Sequence, residues 1–199
     1  MARIPGAPPT AEFEQIFSNM RRGMAELTGR EIDRALEPLE LYAHVPELFR
    51  GMLALQQAGG GAGRIDTRLS DLARLKAATL TNCEYCIDVG SLISRRSGLS
   101  DEMLLALPNY HTSPLFTEVE KLVLDYAVGM SRTPVDVSEE LFARLREHFD
   151  DAQIVELTHM IAGENMAGRF NHALGVGSAG FSEGMVCAVP ERAPAPAAA

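Results

Sequence analysis

The paired cysteines of this chain stand three residues apart, in Thr81-Asn82-Cys83-Glu84-Tyr85-Cys86. A Cys-x-x-Cys spacing serves a redox dithiol or half of a metal site, and the flanking residues decide between them. A metal site needs two further Cys or His residues at ligand spacing, and no second pair accompanies this one. Two inert core cysteines are the remaining alternative. Asn82 has the side chain of an N-cap, able to accept from the free amides of a first helical turn. A helix starting there puts Cys83 in its first turn, where the helix dipole favours a thiolate, and Cys86 one turn along on the same face. Gly90, the next position on that face, carries no side chain. The run ends at Gly98, and Ser100 caps a short helix with Asp101 and Glu102 in its first turn. Such a pair can cycle between dithiol and disulfide. One thiolate attacks a hydroperoxide to give a sulfenic acid and an alcohol or water, and the other cysteine condenses with it. On dipole grounds Cys83 is the more acidic thiol.

The elements that must position this pair read as helices. Thr10 caps a helix over 11–28, with Phe13, Ile16, Phe17, Met20, Met24 and Leu27 at helical spacing and Gly29 at its end. A second helix is expected over 30–42, bent near Pro38, and a third restarts at Pro46. Residues 59–63, Gly-Gly-Gly-Ala-Gly, read as a flexible loop. From Thr67 a helix with Leu69, Leu72, Leu75 and Ala78 leads to Asn82. Further helices are expected over 116–131, over 139–149 with Ser138 as cap, and over 152–175 capped by Asp150 or Asp151. No run of period two suggests a strand. The fold class is all-α, in one domain over residues 10–189, after an irregular arm at 1–9 and before a disordered tail at 190–199.

One internal similarity raises the possibility of a degenerate duplication. Residues 71–78 run like residues 153–160, an offset of 82 that matches Cys83 with Asn165, Cys86 with Gly168 and Gly90 with His172. A repeat of that kind would bring His172 to face the dithiol helix as a relay. Asp71 is a candidate general base acting through a water. Asp88 is expected to point away from the pair and Glu84 toward solvent. Tyr85 reads as a packing residue with a satisfied hydroxyl, or as a substrate-orienting one. His44 would shape the turn before Pro46, and Cys187 reads as a free thiol or an intermolecular contact.

Composition limits the partners. Of 199 residues, 46 % are apolar and 23 % charged, ordinary values for a globular domain, and the net charge of −9 disfavours nucleic acid and anionic membranes. No apolar run approaches the ~20 residues of a membrane span. The first nine residues contain no apolar stretch of a secretory leader. Three cysteines, two at redox spacing, suit a reducing compartment, so a cytoplasmic location is expected.

These residues resemble the AhpD-like superfamily, which contains alkylhydroperoxidase D and the carboxymuconolactone decarboxylases. The resemblance runs over residues 40–110, through Leu41, His44, Pro46 and Leu48, the helix of Asp71, and the Asn-Cys-x-Tyr-Cys core. Residues 116–181 look like the C-terminal half of longer relatives. The resemblance implies an all-α fold assembled into homo-oligomers. It also implies peroxide reduction by a dithiol that a lipoyl- or thioredoxin-type donor restores, with no cofactor or metal. The family's peroxidase motif is Glu, eleven residues, Cys-x-x-Cys, three residues, His. Cys83 and Cys86 carry over, with Cys86 in the attacking role and Cys83 resolving. Asp71 occupies the Glu position on a shorter stem. Gly90 stands where the histidine belongs, which weakens the case for full peroxidase activity. A different class, a non-redox binding protein or biosynthetic enzyme on the same fold, is the alternative.

Overall fold

The structure, a computed structural model, describes residues 2–8 and 10–191. Among them there are nine α-helices and no strand: α1 Ala11–Thr28, α2 Glu37–Tyr42, α3 Pro46–Ala62, α4 Thr67–Leu80, α5 Glu84–Ser94, α6 Asp101–Ala106, α7 Glu118–Ser131, α8 Glu139–His148 and α9 Asp151–Leu174. A 3-10 turn, Leu107–Asn109, follows α6. The all-α reading of the sequence holds.

Helix α4 is the axis of the molecule, packing against α5, α7 and α9 at once. Its sequence allows this because Ala73, Ala77 and Ala78 let neighbouring helices close in, while Leu72 and Leu75 fill the space between them; all five are buried. Leu72, Leu75 and Ala78 join one apolar cluster with Cys83, Cys86, Ile87, Leu104 and Tyr110. Ala73 and Ala77 join a second, with Leu122, Val123, Leu145, Leu157 and Ile161 from α7, α8 and α9. A third cluster unites Phe13 and Phe17 of α1 with Phe49 of α3, and Phe49 stacks edge-on against Phe13 at 4.6 Å. Each such side chain removed from water contributes roughly 1.5–3 kcal/mol.

Helix starts fall where the local chemistry put them. Ser100, Ser138 and Asp150 each accept from the third amide of their helix, and Gly29 closes α1 in the left-handed region. Three elements differ from expectation. The helix expected over 30–42 is only α2, with Pro38 in its first turn, where a missing N–H is harmless. Residues 59–62 are helical and continue α3, which ends only at Gly63 with φ 60°. Tertiary packing overrides glycine's poor propensity here: a Cβ on Gly59 would lie 3.1 Å from His159 Nε2, so glycine lets α3 and α9 approach. Third, the two stretches related by the offset of 82 do not follow the same course. The first breaks between α4 and α5, whereas the second is the uninterrupted α9.

The ends of the described chain are pinned to the core. In the arm, Arg3 N donates to Leu174 O and Ala7 N to Glu40 O. Of the tail expected at 190–199, residues 192–199 lie outside the described residues. Glu191 is held: its N–H donates to Thr79 O, and its carboxylate pairs with the buried Lys76 ammonium at 2.6 Å.

Candidate active site

The dithiol sits on a break in the chain between the central helix and α5. Asn82, the expected cap, instead takes a left-handed conformation with φ 51°, which asparagine tolerates better than most residues. That turn makes Cys83 itself the N-cap, and its sulfur accepts from Cys86 N at 3.3 Å. Cys86 is the third residue of the helix. The two Cα atoms are 5.2 Å apart and the sulfurs are at disulfide-bonding distance. Both therefore lie at the positive end of the helix dipole. Among the described residues, no group of three or more His, Cys, Asp or Glu is arranged to hold a metal ion.

Helix α9 closes the site from the other side. It crosses the Thr81 turn at Gly168, where a Cβ would lie 2.8 Å from Thr81 Cβ. One turn further, the buried Asn171 directs its side-chain amide at the pair, with Nδ2 3.5 Å from Cys83 Sγ and 3.6 Å from Cys86 Sγ. His172, expected at this place, is exposed on the neighbouring face of α9. Successive residues on a helix point about 100° apart, so only one of the two can face α5.

Cys86 opens on a cavity of about 460 Å³, whereas Cys83 does not reach it. Its walls come from α1, α2, α3, α4, α5 and α9, and are largely apolar: Met20, Leu39, Tyr42, Met52, Val89 and Phe170 are among them. Tyr42 and Phe170 stack with ring centres 4.1 Å apart. Gly90, where the resemblance places a histidine, is on the cavity wall, and a Cβ there would lie 3.2 Å from Leu75 Cδ1. Tyr85 also lines the cavity, and its hydroxyl donates to Ala35 O, the satisfied state anticipated for it. Burial raises its pKa.

Two carboxyl groups, Asp71 and Glu164, also line the cavity. Asp71 is buried, and its Oδ2 has no hydrogen-bond partner. Burial holds its carboxyl above the usual range, against the pull of the Ser97 hydroxyl and the Arg74 guanidinium. Glu164 on α9, nearly buried and 3.5 Å from Arg74 Nε, is pushed the same way by burial. Asp71 stands in the first half of α4 and Cys86 in the first turn of α5, after the chain has turned at residues 81–83, and both line the same cavity.

Comparison with known proteins identifies the relatives of this arrangement. The pattern of the carboxymuconolactone decarboxylase family matches residues 46–128, which include Asp71, Cys83 and Cys86. The uncharacterized protein YnjA of Escherichia coli (strain K12) is 31 % identical over 194 residues, spanning 94 % of this chain and 98 % of YnjA. The chain belongs to the carboxymuconolactone decarboxylase family. Its fold is that of the AhpD-like members. An uncharacterized peroxidase-related protein with an alkylhydroperoxidase AhpD core, from Ralstonia eutropha JMP134, superposes with TM-score 0.70 at 21 % identity, over 96 % of this chain and 98 % of that one. The debrominase Bmp8 superposes with TM-score 0.73 at 20 % identity, over 89 % and 93 %. The family fold thus serves more than one chemistry.

Within this family member, sequence reasoning missed Asn171, Glu164 and the partners of Asp88. Asp88 does point away from the dithiol, but it is buried. Its Oδ2 accepts from Ser178 Oγ, Ala179 N, Gly180 N and Phe181 N, and its Oδ1 from Ser182 N, at 2.6–3.0 Å. It clamps the loop after α9 onto the back of α5. Glu84 is exposed, as expected. His44, also exposed, bonds Pro5 O through Nε2 at 2.8 Å. Cys187 is a half-buried free thiol. Among the described residues, no helix is long and apolar enough to cross a membrane.

Proposed function

We propose that this protein is a thiol-dependent oxidoreductase that reduces a bulky apolar hydroperoxide by cycling Cys83 and Cys86 between dithiol and disulfide. The observation that carries the reading is the asymmetry of the pair: Cys86 faces a cavity of about 460 Å³ and Cys83 is sealed behind it. The Cys86 thiolate attacks the distal oxygen of the hydroperoxide, so an S–O bond forms, the O–O bond breaks, and the departing alkoxide takes a proton. Cys83 then attacks the Cys86 sulfenic acid, forming the S–S bond and releasing water. Cys83, acidified by its N-cap position, is the better leaving thiol when a dithiol donor of lipoyl or thioredoxin type attacks Cys86 to restore the pair. Asp71 and Glu164, biased toward their protonated forms, supply the proton to the alkoxide through the contents of the cavity.

The test is a single turnover. Reduced protein is mixed with one equivalent of cumene hydroperoxide, and thiols are counted with time in wild type, Cys83→Ser and Cys86→Ser. Rapid loss of two thiols in wild type, with sulfenic acid trapped only in Cys83→Ser, is the expected result. Thiol loss no faster than that of free cysteine would sink the peroxidase reading. The stacked Tyr42–Phe170 wall favours a second electrophile for the same sulfur, a halogenated aromatic ring. Bmp8 has been crystallised with 2,3,4-tribromopyrrole, and halide release from that compound is the parallel assay.

A further inference from the structure

We propose that Asn171 is a catalytic residue, its side-chain amide holding negative charge on the reacting sulfurs. The inference rests on the redox reading above and adds to it a group on a different helix. The amide is within hydrogen-bond distance of both sulfurs, 3.5 Å from Cys83 and 3.6 Å from Cys86, and Asn171 is 3 % exposed, so water does not compete for the donor. Its position is built rather than incidental. Gly168, one turn earlier, allows α9 to cross at the Thr81 turn, and Val176 N donates to Asn171 O where the helix ends at Gly175. The amide also stands at the boundary between the sealed sulfur and the open one, since Asn171 and Cys86 line the cavity and Cys83 does not.

One donor reaching two sulfurs fits the two charged states of the cycle. In the reduced protein the amide N–H lowers the energy of the Cys86 thiolate that attacks the hydroperoxide oxygen. In the re-reduction step the dithiol donor's sulfur bonds to Cys86, the Cys83–Cys86 bond breaks, and the electron pair leaves on Cys83. The same amide and Cys86 N–H then receive that thiolate. A histidine at position 90 would also act as a proton carrier, whereas an amide cannot. Protons must therefore come from Asp71 of α4 and Glu164 of α9; Arg74 of α4, Tyr85 of α5, Tyr42 of α2 and His159 of α9 are the other titratable or charged groups on the cavity walls.

The experiment measures the alkylation rate of Cys86 by iodoacetamide across pH in the Cys83→Ser background, with Asn171 intact or replaced by Asp, Leu or Gln. Alkylation of Cys187 in the same samples reports whether the fold is kept. Asn171→Leu is expected to slow Cys86 alkylation at neutral pH about tenfold and to move the midpoint of its pH profile up by about one unit. Asn171→Asp, nearly the same shape but bearing a charge of the wrong sign, is expected to move it further. Asn171→Gln is expected to recover part of the loss. An unchanged midpoint in both Asp and Leu variants would overturn the proposal and leave Asn171 a packing residue. Failure of the redox reading is seen separately, as inert thiols toward hydroperoxide in the otherwise native protein, and leaves the alkylation midpoints interpretable.

Discussion

Two aspartates flank the dithiol helix, and their surroundings are opposite. Asp88, on the back of α5, is 4 % exposed and receives five donors from residues 178–182. Asp71, on the wall of the cavity, is 8 % exposed and has one oxygen with no partner. A buried carboxylate saturated with donors fixes the chain around it. One starved of donors is driven toward its neutral form and becomes a proton donor at a pH where ordinary carboxylates have none to give. The difference separates the two sides of the same helix: one side is built to hold, the other to react.

The largest effect should come from disturbing the saturated side. Asp88→Asn turns one oxygen into a donor facing donors and removes the charge that strengthens all five bonds. We expect it to lower unfolding stability by about 3 kcal/mol and to expose the 178–182 loop to protease. Urea titration, with limited proteolysis under native conditions, measures both. A variant as stable as wild type would mean that the loop is held by Phe181, which packs edge-on against Tyr85 at 5.6 Å, and not by the carboxylate.

Nothing near Asp88 in the sequence announces this clamp, because its partners come 90 to 94 residues later. What was legible was local. The periodicity of α1, the caps at Ser100, Ser138 and Asp150, and the Cys-x-x-Cys pair are all set by residues within a turn or two of one another. Asn171 was illegible for the same reason as the Asp88 clamp, since an asparagine in the last turn of a helix carries no mark of the sulfurs 85 and 88 residues away. The repeat-based register came within one residue of it, and one residue on a helix is the difference between the cavity and solvent. The glycines at 59–61 misled for a different reason. Their weak helix propensity is a local property, while at Gly59 the helix is held by the close approach of α9.

A third carboxylate, Glu191, is intermediate and sharpens the comparison. Its partner Lys76 is 1 % exposed, donates also to Leu107 O at 3.3 Å, and lies 4.7 Å over the Tyr110 ring. Burial lowers the Lys76 pKa, and Glu191 opposes that shift. Glu191→Gln leaves the ammonium with weaker acceptors, and because the glutamate is partly solvated the loss should be about 2 kcal/mol, below the range for a fully buried pair. Thermal unfolding should show it. Lys76→Met in the same background should recover stability, because a methionine needs no counter-charge; failure to recover would locate the loss in the Glu191 N to Thr79 O backbone bond instead.

The smallest effect has the opposite sign. Asp71→Asn removes a carboxyl whose ionisation is disfavoured in the folded protein. Because the folded pKa is raised above the unfolded one, the protonated native state binds its proton more tightly than the unfolded chain does. That advantage is fully present below the unfolded pKa of an aspartate and is lost as pH rises through the folded pKa. At pH 7 the wild type therefore carries a carboxyl whose ionisation burial penalises, a penalty the amide variant lacks, and Asp71→Asn should be the more stable protein by about 1 kcal/mol. The gap should close as pH falls below about 4, where aspartate is protonated in the unfolded chain as well. Unfolding midpoints in urea at pH 7 and at pH 3.5 give the comparison directly. The same variant should turn over hydroperoxide more slowly, since the site loses a proton donor while gaining stability. A variant that is destabilised at pH 7 would place Asp71 with Asp88, as a carboxylate held for structure, and leave Glu164 to provide the proton.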